Sequence, residues 1–119
     1  MGIRIRLEND FLPEHTFDCG QCFRWNRESD GSYSGVAMGH AVNLKYESGD
    51  IVITGAKEAD RALWEEYLDT KRDYSEIKKK ISVVPAVREA VAYGGGIRIL
   101  KQEFFETLIS FIISQQSSI

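Results

Sequence analysis

The chain has 119 residues, 43% hydrophobic and 28% charged, the balance of an ordinary globular domain with room for the start of a second. Its formal net charge of −3 speaks against a nucleic-acid binder that relies on bulk phosphate neutralisation. The longest apolar stretch, residues 108–113, is too short for a bilayer, and the alternating start Met1-Gly2-Ile3-Arg4-Ile5-Arg6 does not resemble a secretory leader. No membrane partner is expected, and the expected location is the cytoplasm or nucleoid, or the nucleus in a eukaryote.

Ile3, Ile5 and Leu7 alternate with Arg4, Arg6 and Glu8, the period of a half-buried strand. Phe23 and Trp25 alternate with Arg24 and Asn26 before a turn at Asp30-Gly31, and a further strand runs from Tyr33 to about residue 38, broken at Gly39-His40. Val42, Leu44 and Tyr46 then alternate with Asn43 and Lys45, and Glu47-Ser48-Gly49-Asp50 turns the chain into Ile51-Val52-Ile53-Thr54 as a hairpin.

After Gly55 the period changes. Ala59, Leu63, Trp64, Tyr67 and Leu68 share one helical face. A short helix is predicted over residues 75–81, capped by Ser75 or Asp73. Pro85 suits the first turn of the next helix, which carries Val87, Ala90 and Val91 and stops at Gly94-Gly95-Gly96. Phe104, Phe105, Leu108, Ile109, Phe111, Ile112 and Ile113 make a last helix, apolar on nearly all sides and expected at the centre of a core. Strands first and helices later predict an α+β fold, an antiparallel sheet with flanking helices, and not a βαβ parallel sheet.

Few residues point to chemistry by spacing alone. Cys19-Gly20-Gln21-Cys22 is a C-x-x-C pair, but the only further imidazoles are His15 and His40, and the pair leads into a strand instead of opening a helix. Two reduced cysteines fit better than a zinc site or a thioredoxin-type centre, and neither metal nor cofactor is expected. His15 is read as a loop residue and His40 as a turn residue, each structural or exposed. Lys78-Lys79-Lys80, flanked by Asp73 and Glu76, reads as a solvated helix face. Phe23, Trp25, Tyr33 and Tyr46 read as the core of a twisted sheet in preference to a base-stacking platform.

Two segments add more. Phe17-Asp18-Cys19-Gly20-Gln21-Cys22-Phe23-Arg24-Trp25 followed by Tyr33-Ser34-Gly35-Val36 resembles the G-Q-x-F-R-W … W/Y-x-G-V signature of the 8-oxoguanine DNA glycosylase N-terminal domain. About eighty residues on, Leu108-Ile109-Ser110-Phe111-Ile112-Ile113-Ser114 resembles the L-x-S-F-I-x-S helix that opens that family's helix-hairpin-helix domain. The resemblance implies a TATA-binding-protein-like α+β domain over residues 1–100, with the first helix of the second domain over residues 101–119.

The resemblance also implies a function. The protein is expected to act in base-excision repair as a DNA N-glycosylase and AP lyase on duplex DNA containing 8-oxoguanine, held mainly by a C-terminal part. By the same resemblance, Gly20 is expected to offer its backbone carbonyl to the N7–H of the flipped lesion. Gln116, Ser117 and Ser118 stand where the family carries an Asn-rich turn that meets the opposite base, so a base-edge contact is expected there, although the Asn residues are absent. The family's Lys nucleophile and its Asp are expected beyond residue 119. No catalytic residue is therefore expected in this chain, which alone is expected to be inactive. The alternative is a non-catalytic nucleic-acid-binding or interaction module of the same fold. The apolar helix from Phe104 to Ile113 is also expected to drive self-association.

Overall fold

The structure, a computed structural model, describes residues 1–7 and 10–116, the side chain of residue 116 excepted. Five strands, β1 (Gly2–Arg6), β2 (Trp25–Arg27), β3 (Tyr33–Ala37), β4 (His40–Glu47) and β5 (Asp50–Thr54), form one antiparallel sheet in the order β1-β5-β4-β3-β2. Local chemistry sets its middle. Met38-Gly39 and Ser48-Gly49 have positive φ at both positions, the two-residue turns whose twist matches that of paired strands. The Asp30 carboxylate shapes the β2–β3 turn by accepting from the backbone N–H and the hydroxyl of Ser32.

One face of the sheet is apolar. Ile3, Ile5, Ile51, Ile53, Val42, Leu44, Tyr33 and Trp25 are buried on it, each Ile and Leu contributing about 1.5–3 kcal/mol by leaving water. Trp25 sits opposite Gly35, and a Cβ on Gly35 would lie 2.4 Å from the indole ring. The glycine of the Tyr33-Ser34-Gly35-Val36 run is thus the space into which the tryptophan packs.

The helices are α1 (Pro13–Phe17), α2 (Arg61–Tyr67), which follows a 3-10 turn at Glu58–Asp60, α3 (Tyr74–Ile81), α4 (Pro85–Gly94) and α5 (Phe104–Gln116). α1 and α2 cover the apolar face. Phe17 stacks on Trp25 with ring centres 4.4 Å apart, and Trp64 and Tyr67 meet edge to face at 5.6 Å. Of the two expected caps for α3 it is Asp73 that acts, its side chain accepting from the Glu76 N–H at 3.2 Å. Among the described residues no helix is long and apolar enough to cross a membrane.

The α+β fold with its antiparallel sheet is as expected, and four local expectations change. His15 lies in α1, not in a loop, and its Nδ1 accepts from the Gly96 N–H at 3.1 Å. α1 is five residues long, too short to display a helical period in sequence. His40 begins β4, because the preceding turn closes at Met38-Gly39. Ala59 falls in the 3-10 turn and is exposed, so the apolar face begins at Leu63 and Trp64. Most visibly, none of the described side chains of α5 is buried: Phe104 is 78% exposed and Phe105 65%. Within the described chain this helix flanks the core and does not centre it.

Candidate functional site

The connection from α1 to β2 carries the Cys19-Gly20-Gln21-Cys22 run. It is tied down by its own residues. The Asp18 carboxylate accepts from the Tyr33 hydroxyl at 2.5 Å. The Cys19 and Cys22 thiols donate to consecutive carbonyls at the end of α1, those of Thr16 (3.4 Å) and Phe17 (3.7 Å). The amide of Gln21 donates to the carbonyls of Thr16 (2.9 Å) and Arg98 (2.7 Å) and accepts from the Leu100 N–H (3.0 Å).

Within that frame Gly20 adopts φ +97°, a conformation costly for any residue bearing an L side chain. Among the described residues, its chain neighbours apart, nothing lies within 4 Å of where its Cβ would stand, and nothing donates to its carbonyl.

Gly20 lines a cleft of about 680 Å³, in the size range of small-molecule sites. One wall is Phe17, Asp18, Gly20, Gln21, Cys22, Phe23 and Trp25; the other is Gln102, Glu106, Thr107, Ser110, Phe111 and Ser114. The second wall is legible in principle. Gln102, Glu106, Ser110 and Ser114 recur every fourth residue, a polar stripe along an otherwise apolar helix. Composition draws attention to the apolar residues, whereas the stripe is what faces the sheet domain. An ion pair between Arg24 and Glu106 and a bond from the Gln102 amide to the Gln21 carbonyl (2.6 Å) join the walls.

The cleft suits a flat, neutral ligand with polar edges. Burial pushes the Cys22 thiol up to about 12, with the charges of Cys19, Asp18 and Glu106 acting in the same direction, so it stays a neutral thiol at physiological pH. Burial, and then the bond to Asp18, likewise push Tyr33 up to about 12. No Lys or His is among the described lining residues, so the walls present amides, hydroxyls, rings, the Cys22 thiol and the carboxylates of Asp18 and Glu106, with no amine nucleophile.

Other expected positions separate from this cleft or join it differently. Trp25 and Tyr33 are buried in the sheet core and Tyr46 packs against it, but Phe23 departs from the expected core: its ring is 47% exposed, at the cleft wall. Its strand begins only at Trp25, so the alternation that would bury Phe23 and Trp25 together does not apply. Cys19 and Cys22 are free thiols, and among the described residues no group of three or more His, Cys, Asp or Glu could hold a metal ion. Gln116 ends α5, its side chain outside the described part, and Ser117 and Ser118 lie outside the described residues.

The same arrangement of sheet, loop and helix occurs in known repair glycosylases. The chain superposes on the structure of MBOgg1 in complex with a low affinity DNA ligand with a TM-score of 0.94 and 45% identity, covering 98% of this chain and 40% of that one. It superposes on the 8-oxoguanine glycosylase/lyase of Clostridium acetobutylicum in complex with dsDNA containing cytosine opposite 8-oxoG with a TM-score of 0.89 and 40% identity, covering 98% of this chain and 43% of that one. It is 31% identical over 112 residues to the N-glycosylase/DNA lyase OGG1 of Arabidopsis thaliana, 87% of this chain and 30% of the relative. These likenesses define an α+β domain shared with the glycosylase/lyases. The family model for the 8-oxoguanine DNA glycosylase N-terminal domain matches residues 3–108, and the chain belongs to that family. It spans about a third of the Arabidopsis relative and about two-fifths of the solved chains.

Proposed function

We propose that these residues are the lesion-reading part of a bifunctional 8-oxoguanine DNA glycosylase/AP lyase acting in base-excision repair, and that the Gly20 carbonyl is the acceptor that reads the damaged base. The observation that carries this is Gly20 itself: a left-handed glycine on the wall of the cleft, with open space around it and a carbonyl without a donor among the described residues. The Clostridium acetobutylicum structure was determined with dsDNA containing cytosine opposite 8-oxoG, which supports a DNA lesion as the ligand.

The chemistry of discrimination turns on one hydrogen. 8-Oxoguanine carries a proton on N7, whereas guanine carries a lone pair there. A carbonyl facing N7 gains a hydrogen bond with the lesion and meets lone-pair repulsion with the normal base, and an acceptor left buried without a donor costs about 1–3 kcal/mol. Extruding the base from the duplex brings it into the cleft, where the hydroxyls of Ser110 and Ser114 on the α5 wall face its remaining edges. The reaction at the sugar, by a Lys nucleophile and its Asp partner, is assigned to residues outside this chain. A base-edge contact to the opposite strand is assigned to Gln116, Ser117 and Ser118.

Two measurements test the proposal. Incubation of these 119 residues with an 8-oxoguanine·C duplex and borohydride should leave no covalent adduct; a trapped adduct would show that a Lys in this chain is the nucleophile. In the intact protein, duplexes with 7-deazaguanine, which has no lone pair at that position, should bind more tightly than those with guanine. Equal affinity for the two would remove the Gly20 carbonyl from the reading.

A further inference from the structure

We infer that Gln21 is the positioning residue of the cleft: it holds the Gly20–Gln21 peptide and the α5 wall in one frame, so that its loss lowers discrimination between 8-oxoguanine and guanine. This role rests on Gly20 being the lesion acceptor and adds the residue that aims it.

The Gln21 side chain is engaged at both of its polar atoms. Both hydrogens on its amide nitrogen are used, on the carbonyls of Thr16 at 2.9 Å and Arg98 at 2.7 Å, and the amide oxygen accepts from the Leu100 N–H at 3.0 Å. Against residues 98–100 the side chain therefore behaves as a peptide group of a neighbouring strand, exchanging one bond in each direction with residues two apart. Its own backbone carbonyl is pinned in turn by Gln102 at 2.6 Å. One residue thus ties α1 to segment 98–100 and the approach to α5, roughly eighty positions further along the sequence.

Gly20 needs such a clamp. Glycine has the least restricted backbone of any residue, and no hydrogen bond among the described residues holds its carbonyl. The direction of that carbonyl is the rotation of the Gly20–Gln21 peptide plane, one side of which is the fixed Gln21 frame. A reading group must be held to within about 0.5 Å and 10–20° to discriminate, and in this loop Gln21 supplies the fixed side. Glutamic acid is a poor substitute despite its shape, because an ionised carboxylate keeps the Leu100 bond but meets the Thr16 and Arg98 carbonyls with no hydrogen to offer.

The test uses the intact protein and equilibrium binding to duplexes containing 8-oxoguanine·C, guanine·C and an abasic analogue opposite C. Gln21→Met is expected to lower the 8-oxoguanine to guanine affinity ratio by about tenfold, the loss of roughly one well-made hydrogen bond, while abasic-site affinity changes by less than about twofold. Gln21→Glu is expected to lower the ratio at neutral pH and regain part of it toward about pH 5, where a protonated carboxyl in this part-buried site again donates. Gln102→Leu leaves the Gln21 side chain in place, removes the bond to the Gln21 carbonyl together with one amide of the wall, and should produce a smaller fall in the same direction; it decides the matter if the Gln21 variants do not fold. A ratio unchanged in all folded variants, or a fall matched by abasic-site affinity, overturns the positioning role. If the unsubstituted protein shows no preference for 8-oxoguanine, the reading of Gly20 itself fails.

Discussion

The indole N–H of Trp25 donates to the Tyr67 hydroxyl at 2.9 Å, joining β2 to α2 across the buried interior. The same indole is stacked on Phe17, the last residue of α1, so a single ring links the sheet, the covering helix and the residue before the cleft loop. Burial pushes the Tyr67 phenol well above its ordinary range, which keeps it a neutral acceptor for that N–H. Tyr67→Phe leaves the indole N–H buried and unpaired and is expected to lower stability by about 1–2 kcal/mol, read as an earlier midpoint in urea with an unchanged slope. An unchanged midpoint would show that the bond contributes nothing.

Arg98 is expected to be far more sensitive. It is 1% exposed, its guanidinium donating to the carbonyls of Asp10 (3.1 Å), Asp69 (2.6 Å) and Arg72 (3.3 Å) and lying 4.3 Å from the centre of the Tyr74 ring. Arg98→Met should cost about 3 kcal/mol, since three carbonyls lose the guanidinium, the Asp69 carbonyl keeping only the Arg72 N–H at 3.3 Å, and the nearby Asp10 and Asp69 lose a compensating charge. Arg98→Lys should rescue little, because one ammonium on a flexible stem does not reproduce a planar fork. Thermal melting of the three proteins side by side checks both statements.

The two cysteines are expected to react differently. Cys19 is exposed, so a maleimide should label it in the folded protein at about pH 8, whereas Cys22, with its thiol pushed up to about 12, should label only after denaturation. Mass spectrometry of Cys19→Ser and Cys22→Ser identifies the site. The shift also carries a sign for stability. Below its ordinary value of 9.0 the Cys22 thiol is neutral in both states; as pH rises toward about 12 the unfolded thiol ionises and the folded one does not. Its contribution to folding is therefore complete below pH 9.0 and is lost as pH climbs through about 12, with Tyr33 adding a loss of the same sign from 10.0 upward.

Expressed alone, these 119 residues are expected to self-associate. α5 turns its polar stripe to the cleft and leaves Phe104, Phe105, Ile109 and Ile112 in solvent, with Val83 and Tyr93 exposed as well. Light scattering should give a mass that rises with concentration, and Ile112→Glu should return it toward the monomer. A concentration-independent monomer for the unsubstituted chain would rule this out.

The legible parts of the sequence are those made by neighbours. The hairpin at Ser48-Gly49, the Asp73 cap and the Pro85 start each depend on a few consecutive residues. Gly20 can be named only through a family resemblance, since nothing in its local spacing distinguishes it from a bend. The partners of Gln21 and Arg98 are not legible, because their bonds join residues up to 88 positions apart and appear only when segment 96–102 threads between α1 and α2. The place of α5 at the edge of the core is hidden in sequence because an apolar majority outweighs four polar residues in register.

The torsion at Gly20 has a stereochemical consequence. Space is not what excludes L-alanine there, since among the described residues other than its own chain neighbours none places an atom within 4 Å of the position its methyl would take. Handedness is: φ +97° strains an L residue and suits its mirror image. Cys22 provides a ligation junction, so synthetic segments 1–21 carrying either L- or D-alanine at position 20 can be joined to the remainder. Both proteins gain one methyl group, and only the D form keeps the loop relaxed. Comparing them separates the shape of the backbone from the bulk beside it.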